Sequence, residues 1–484
     1  MQIRYRVLSG LLAALLALTP LHAQQLPELG EVASEEMSLA TEKRIGQQVM
    51  HEIRSREPSY LDDPEVEGYL NQLGGRLAGA SSDPGIGFYF FALDDPSINA
   101  FAMPGGFIGV HTGLLMAAQS ESELAGVLAH EISHVTQRHI ARQMQREKQM
   151  SVPTLLAMAM ALLAARSNSQ LGSAALSAAQ AATVTAQLSF SRDYEREADR
   201  FGFEIMQKAG FDVRGMSAFF ERLQRASRIY ESNAPVYLRS HPLTVERISD
   251  MQNRETKQRY KQVPDSPDFY LVRAKLRAMR GHASEAVKDS QDLLREHKYA
   301  SEAAVRYGLA VALSRQRDWA GAERELLAAR KLHFVSPMID RLQAEARIGQ
   351  GDINGGLKIY RDAVALYPLN SALVYAYGDA LILQRRFADS LALAESQLRS
   401  YPQDVRLYQL LARSYAELGR RSQQHRVTGE SYAIQGLTEA AVEQLELAQR
   451  AGDANFYEMS VIDARLRELK RQLIDEKKEK RKSG

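Results

Sequence analysis

Apolar positions early in the chain recur at helical spacing: Ile45, Val49 and Ile53, then, after a proline-containing break, Val66, Tyr69, Leu70, Leu73 and Leu77. Two helices are expected from about residue 41. After Gly87 the period shortens. The aromatic run 88–93 reads as a strand and Asp94-Asp95-Pro96 as a turn, and residues 98–103 and 107–111 read as a hairpin joined at Pro104-Gly105-Gly106. Three short strands thus precede a second helical stripe, Leu124, Val127, Leu128 and Ile132, introduced by a capping box of Ser120 and Glu123. A sheet edge so placed suits either core completion or main-chain pairing with an extended polypeptide. Residues 152–165 are nearly all apolar, about 14 residues and so short of a bilayer span. They predict a buried helical hairpin, with contact to membrane or unfolded substrate as the alternative, and Met158 and Met160 as packing residues.

From Asp265-Ser266-Pro267 onward the pattern becomes helical and self-similar. Tyr367-Pro368 and Tyr401-Pro402 are 34 residues apart, and the small residues Ala286, Ala322, Gly356 and Ser390 follow steps of 36, 34 and 34. Gly281, Gly351 and Gly419, with Arg317 and Arg385 at the equivalent places, mark the turns. This period and placement resemble tetratricopeptide repeats, four clear units with weaker ones to about residue 450. Such helix pairs stack into a superhelix whose concave face suits peptides or proteins. Trp319, next to a turn, is read as core. The fold class expected is α+β, mostly α: a domain with a small β-sheet, followed by an α-solenoid.

With 484 residues, two or three domains are expected. The first 23 residues, with Arg4 and Arg6 before an apolar run and then Pro20, read as a secretory signal peptide, a retained anchor being the alternative. Removing them lowers Lys+Arg from 61 to 59 against 59 Asp+Glu, so no global basic field points to nucleic acid. The chain has no cysteine, which excludes disulfides, thiol nucleophiles and a sulfur-ligated metal. The divisions expected are a signal peptide over 1–23, a flexible lead-in over 24–40, a first folded domain with the small sheet over 41–262, repeats over 267–470 and a charged tail over 471–484. The Lys-rich end is expected to be solvated, with weak peripheral contact to anionic lipid headgroups as a further expectation.

The chemistry centres on His130-Glu131-x-x-His134 within the second helical stripe. Residues four apart share a helix face, so both imidazoles can reach one zinc ion while Glu131 stands beside the open position, where a carboxylate can take a proton from water. His139, turned away along a continuous helix, reads as a surface residue. Gln137 and Ile140 stand where a metzincin would have Gly and His, so the third ligand must come from elsewhere. Glu195 and Asp199 share a helix face downstream: Glu195 can complete a His₂Glu site and Asp199 can orient a ligating imidazole. Glu197 is the competing ligand, though it points some 200° around the helix from Glu195. His111, at a strand end, is read as structural.

HExxH, a long insertion and then Ser191, Arg192, Glu195, Ala198 and Asp199 in register resemble the HtpX-type and CAAX-prenyl-protease-like zinc metallopeptidases, a gluzincin-like family. The resemblance implies zinc ligands His130, His134 and Glu195, with Glu131 as general base. Spanning helices of the membrane members are missing, so the chain is similar to the secreted, periplasmic branch. There Arg239-Ser240-His241-Pro242, followed by Arg247, also recurs. His241, held extended before proline, can stabilise the oxyanion or occupy the open metal position. Together with the repeats, the resemblance implies a periplasmic zinc endopeptidase with a chaperone-like role in quality control and assembly of outer-membrane β-barrel proteins. It implies unfolded or stalled outer-membrane proteins and, through the repeats, the β-barrel assembly machinery as partners. The rival reading is a tetratricopeptide scaffold or chaperone whose peptidase site is largely shut; a third is a membrane-surface enzyme acting through residues 152–165.

Overall fold

A computed structural model describes residues 38–83, 85–146, 191–229, 236–258 and 261–483. The expected signal peptide, nearly all of the lead-in and the apolar hairpin over 152–165 lie outside the described residues. No described helix is long and apolar enough to cross a membrane.

Helix α1 (Leu39–Arg56) starts at Ser38, whose hydroxyl accepts from the Thr41 N–H, and α2 (Pro64–Ala78) starts at Asp63, whose carboxylate accepts from the amides of Glu65 and Val66. Strands β1 (Tyr89–Leu93), β2 (Ala100–Met103) and β3 (Phe107–His111) form one sheet in the order β1-β3-β2. β1 runs parallel to β3, with Tyr89 opposite Phe107, and β2 runs antiparallel, with Met103 opposite Phe107. Side chains alternate across a strand. Phe90 and Ala92 therefore enter the core shared with α2, whereas Phe91 and Leu93 enter the core shared with Ile45, Val49 and Ile53 of α1. Coverage on both faces explains why residues 88–93 carry almost no polar side chain. The β2–β3 turn comes close to α1: a Cβ on Gly105, at φ 77°, would lie 2.6 Å from the Lys43 Cα.

Six helices complete the peptidase part among the described residues after α3 (Thr112–Ala117): α4 (Glu121–Thr136), α5 (His139–Arg146), α6 (Arg192–Ala209), α7 (Arg214–Ile229), α8 (Val236–Ser240) and α9 (Val245–Glu255). α4 is the central element, and its side chains from Glu121 to Val135 are all buried. At its start the Ser120 hydroxyl accepts from the Glu123 N–H at 3.2 Å while Glu123 Oε2 accepts from the Gln119 N–H at 2.6 Å.

Six helix pairs follow among the described residues: α10 (Pro267–Met279) with α11 (Ala283–Arg295), α12 (Glu302–Arg315) with α13 (Trp319–Lys331), α14 (Pro337–Gly349) with α15 (Ile353–Leu366), α16 (Ser371–Leu383) with α17 (Phe387–Leu398), α18 (Val405–Glu417) with α19 (Arg421–Ile434), and α20 (Thr438–Arg450) with α21 (Phe456–Ser483). The first five turns hold one residue each in the left-handed region: Gly281, Arg317, Gly351, Arg385 and Gly419. Trp319 packs on the backbone of Gly349, where a Cβ would lie 2.5 Å from its ring. The charged end is helical, and residues 471–478 are mostly exposed. Residues 471–483 continue α21, and this stretch is tied to α20 where Glu476 accepts from the Thr438 hydroxyl at 2.7 Å and Lys477 pairs with Glu439 at 3.0 Å.

The two parts share one apolar core, running from Val66 and Leu70 of α2 through Leu128 of α4 to Leu271 of α10 and Ile339 of α14. Polar contacts complete the junction. Asp265 accepts from the Glu121 N–H at 2.7 Å, and Glu121 accepts from the Ser266 hydroxyl at 2.6 Å and the Tyr69 hydroxyl at 3.1 Å, so the start of α4 is tied to the first repeat. Lys275, Arg341 and Arg406, on α10, α14 and α18, grip the acidic start of α2: Lys275 pairs with Asp63 and Glu65, Arg341 with Glu65, and Arg406 with Asp62. A cleft of about 920 Å³ remains between α1 and the later repeats, lined by Met50, Arg54, Tyr89, Tyr375, Tyr401 and Arg406 among others.

Candidate metal centre and active site

Three helices and a short turn converge on the centre of α4. The Ser191 hydroxyl caps α6 by accepting from the Tyr194 N–H, which starts the helix in time to turn Glu195 and Asp199 toward α4. Close passage requires Gly202, whose hypothetical Cβ would lie 3.2 Å from the His130 backbone nitrogen and 3.3 Å from the Ala129 carbonyl carbon. His241 follows α8, with its N–H donated to the Tyr237 carbonyl at 2.9 Å and its ring stacked on Tyr237 at 4.6 Å. A short helix thus precedes His241, which opens the non-helical stretch 241–244 ahead of α9.

His130, His134, Glu195 and His241 each present one donor atom, and these atoms lie within 4.8 Å of one another in a buried group. Nε2 of His130 and Nε2 of His134 are 3.0 Å apart; Nδ1 of His241 is 3.3 Å from His130 Nε2 and 3.0 Å from Glu195 Oε1. Glu195 Oε1 lies 3.4 Å from His134 Nε2, and its Oε2 lies 3.5 Å from His130 Nε2. Glu131 is fully buried beside the group, 3.6 Å from His241 Nε2, and neither of its oxygens has a hydrogen-bond partner. Imidazole nitrogens with a carboxylate oxygen form a donor set suited to a divalent metal of the hydrolytic type.

Behind these donors stands a second set of charges. Asp199 Oδ1 is 3.0 Å from His130 Nδ1. Arg247, buried on α9, donates from Nε and Nη2 to the two oxygens of Asp199 at 2.6 and 2.8 Å, and its Nη1 lies 2.7 Å from Glu195 Oε2. Burial disfavours charge on His130, yet the carboxylates of Asp199 and Glu195 outweigh it and raise the imidazole to about 9. His134, as deeply buried and facing His130, is pushed well below the ordinary histidine range. Burial would lift Glu195 and Asp199, but the neighbouring imidazoles and Arg247 win and hold both carboxyls below their usual values. These values describe the metal-free chain.

His139 corrects the sequence reading. It is fully buried, with Nδ1 2.9 Å from His134 Nδ1 and Nε2 3.1 Å from Glu197 Oε2. Counting 100° per residue from His134 fails because α4 ends at Thr136 and Arg138, at φ 53°, turns the chain before α5. No glycine or proline marks that stop. Glu197 lies outside the donor group; it binds His139 and Arg142, the latter at 2.9 Å. His111 is also outside it, held by the Ser97 hydroxyl at 2.9 Å and near Asp95 at 3.5 Å. Sequence reasoning assigned no contact to Arg247, three residues after its helix cap, or to Tyr237, whose hydroxyl is buried without a hydrogen-bond partner. Burial and the negative charge of Glu131 push that phenol well above its ordinary value.

Comparison with known proteins gives this geometry a context. Residues 64–255 match the model of peptidase family M48, and residues 347–421 match a tetratricopeptide-repeat model. A Vibrio cholerae relative is 33% identical over 92% of this chain and 92% of its own length. Relatives named beta-barrel assembly-enhancing protease are 29% identical in Escherichia coli, over 93% of this chain and 92% of theirs, and 30% identical in Yersinia pestis, over 92% of both. Similarity of this extent places the chain in peptidase family M48, as a metallopeptidase with a tetratricopeptide-repeat array behind its peptidase segment.

Proposed function

We propose that the chain is a zinc endopeptidase in which His130, His134 and Glu195 hold the metal, Glu131 moves the proton, Asp199 orients His130 and His241 restrains access. The observation that carries this reading is the buried convergence of four donors beside Glu131, a carboxylate with two unpartnered oxygens. Buried polar atoms without partners are rare and call for a functional account. A zinc ion held by these residues would supply Lewis-acid polarisation of water and of the scissile carbonyl. Glu131 accepts the proton of the attacking water and returns it to the leaving amine. Asp199, gripped by Arg247, keeps the His130 ring turned so that Nε2 faces the other donors.

His241 lies within the donor group, 3.0 Å from Glu195. In this position it acts as a fourth donor that shuts the site, and it must swing aside before a peptide carbonyl enters. Once displaced, its ring can donate to the developing oxyanion.

The relatives' names, which speak of β-barrel assembly, support carrying the proposal further, to a periplasmic enzyme with a chaperone-like role in quality control and assembly of outer-membrane β-barrel proteins. Unfolded or stalled barrels are then the substrates, and the repeats dock on the assembly machinery. Replacing Glu131 by Gln should lower cleavage of a urea-unfolded outer-membrane barrel by about 10²–10⁴-fold while one zinc per chain is retained on elemental analysis. Undiminished cleavage overturns the assignment. The position of His241 also favours the second reading, a scaffold or chaperone with a shut site. Full support of outer-membrane assembly in cells by the same variant would select it.

A further inference from the structure

We propose that His139 and Glu197 are positioning residues that fix the tautomer and orientation of His134. The inference rests on the reading of His134 as a metal ligand and extends it to residues outside the donor group. His134 turns Nε2 toward His130 and Glu195, at 3.0 and 3.4 Å, and turns Nδ1 toward His139 Nδ1, 2.9 Å away. Between two Nδ1 atoms at that distance one must donate and the other accept. The far end of His139 decides which. Its Nε2 lies 3.1 Å from Glu197 Oε2, an oxygen that also accepts from Arg142 Nη1 at 2.9 Å. A carboxylate offers only lone pairs, so His139 carries its proton on Nε2 and donates it to Glu197. His139 Nδ1 is then the acceptor, and His134 donates from Nδ1, so that its Nε2 lone pair faces His130 and Glu195, where it can bind metal.

The opposite arrangement fails on both sides. It would set the His139 Nε2 lone pair against the Glu197 carboxylate and place the His134 proton on the nitrogen that has to ligate. The relay is held rigidly. Tyr194, buried on α6, stacks on the His139 ring with centroids 4.6 Å apart and planes 13° from parallel, and the Arg142 guanidinium lies 4.6 Å over the Tyr194 ring. The left-handed turn at Arg138 folds His139 back into this slot, and Arg138 is itself anchored to Glu42 of α1 at 3.0 Å. The two ligating imidazoles are therefore held differently, His130 by Asp199 directly and His134 through an intervening imidazole.

The test compares zinc affinities, measured by competition with a chromophoric chelator, for the full mature chain and its variants. His139→Phe keeps the flat ring over Tyr194 but has no acceptor, whereas His139→Asn loses the ring and can place its Oδ1 where Nδ1 was. The relay predicts that Phe weakens zinc binding on the order of 10–100-fold and that Asn retains most of it, with the cobalt-loaded absorption spectrum changed in Phe only. A packing role predicts the reverse order, and that order, or parent-like affinity in His139→Phe, overturns the proposal. Glu197→Ala and Glu197→Gln probe the relay from its other end and decide it if His139→Phe does not fold. Ala should weaken zinc binding more than Gln, which still accepts from His139; equal, parent-like affinities in both overturn the relay. A parent chain that binds no zinc, or a His134→Ala variant that binds it as tightly as the parent, strikes the ligand reading of His134 itself and is distinguishable from failure of the relay.

Discussion

Replacing Arg247 by Met should expose how much charge balance the centre requires. Arg247 is 3% exposed and faces Asp199 and Glu195, which are 2% and 1% exposed. Its fork makes contacts of 2.6 and 2.8 Å to Asp199 and 2.7 Å to Glu195. Methionine fills much of the same volume, so the chief loss is compensation of two buried carboxylates. Removing one partner of a buried pair costs about 3–5 kcal/mol. His130, raised to about 9 by the same carboxylates, remains as a partial counter-charge and keeps the loss within that range. Urea unfolding of the metal-free chain, followed by far-ultraviolet circular dichroism, measures the difference. Zinc at about 1,000 times its Kd stabilises a binding fold by about 4 kcal/mol. On the proposed ligand set the dication would be held by Glu195, so it should also narrow the gap between parent and variant. The pH dependence has a definite sign: Arg247 holds Asp199 below its ordinary value despite burial, so Asp199 stabilises the parent above the unfolded carboxyl pKa and loses that contribution in acid. The gap should therefore close below about pH 4. Arg247→Lys, which keeps the charge without the fork, should fall between the two. A metal-free loss under about 1 kcal/mol, or a gap indifferent to zinc, refutes the reasoning.

Gly202→Ala should gain about 1 kcal/mol of helix propensity and lose a comparable amount to a Cβ 3.2 Å from the His130 backbone nitrogen. Thermal stability should thus change little while zinc affinity drops, because metal centres tolerate only about 0.2 Å of displacement; unaltered affinity argues against close packing as the determinant. With His130 raised to about 9 by Asp199 and Glu195 in the metal-free site, the proposed ligation through this imidazole requires loss of a proton, so zinc affinity should climb about tenfold per pH unit up to about 9, with one proton released near pH 7. Calorimetry in buffers of different ionisation enthalpy reads that proton, and an affinity flat between pH 7 and 8 contradicts it. Arg317→Gly and Arg385→Gly, at φ 62° and 58°, should each raise stability by about 0.5–1 kcal/mol, because the sister turns already carry glycine. A lowered melting temperature in both would show that the arginine side chains outweigh the backbone strain.

Local order in the sequence accounts for much of this molecule. Ser120 with Glu123 is a helix start before any tertiary contact forms, and His130 and His134 share a face because four residues nearly complete a turn. The same rule pairs Glu195 with Asp199. The period of 34 with small residues in register makes helix pairs, since a large side chain at Gly356 would strike Ile348 and the Ala344 carbonyl. Residues 88–93 read as a strand from their short aromatic run, and that both faces would be covered was decided by α1 and α2.

Helix counting failed where the chain leaves a helix without announcing it. Arg138 takes a left-handed conformation that its own residue type disfavours, paired with Glu42 of α1, and this puts His139 inside. Arg247 has no sequence feature that marks it as buried; only the meeting of α6 and α9 makes a long cation the counter-ion of Asp199 and Glu195. Nor does the repeat period tell where the solenoid rests. Lys275, Arg341 and Arg406 are unremarkable surface charges in sequence, and they become a row gripping Asp62, Asp63 and Glu65 because the superhelix closes on α2. The sequence by itself determined the helix faces, the small sheet and the repeating unit, because those depend on spacing within one element. The tertiary structure decided which charges are buried together, because desolvation is set by neighbours that lie 48 residues away for Asp199 and Arg247 and 276 for Glu65 and Arg341.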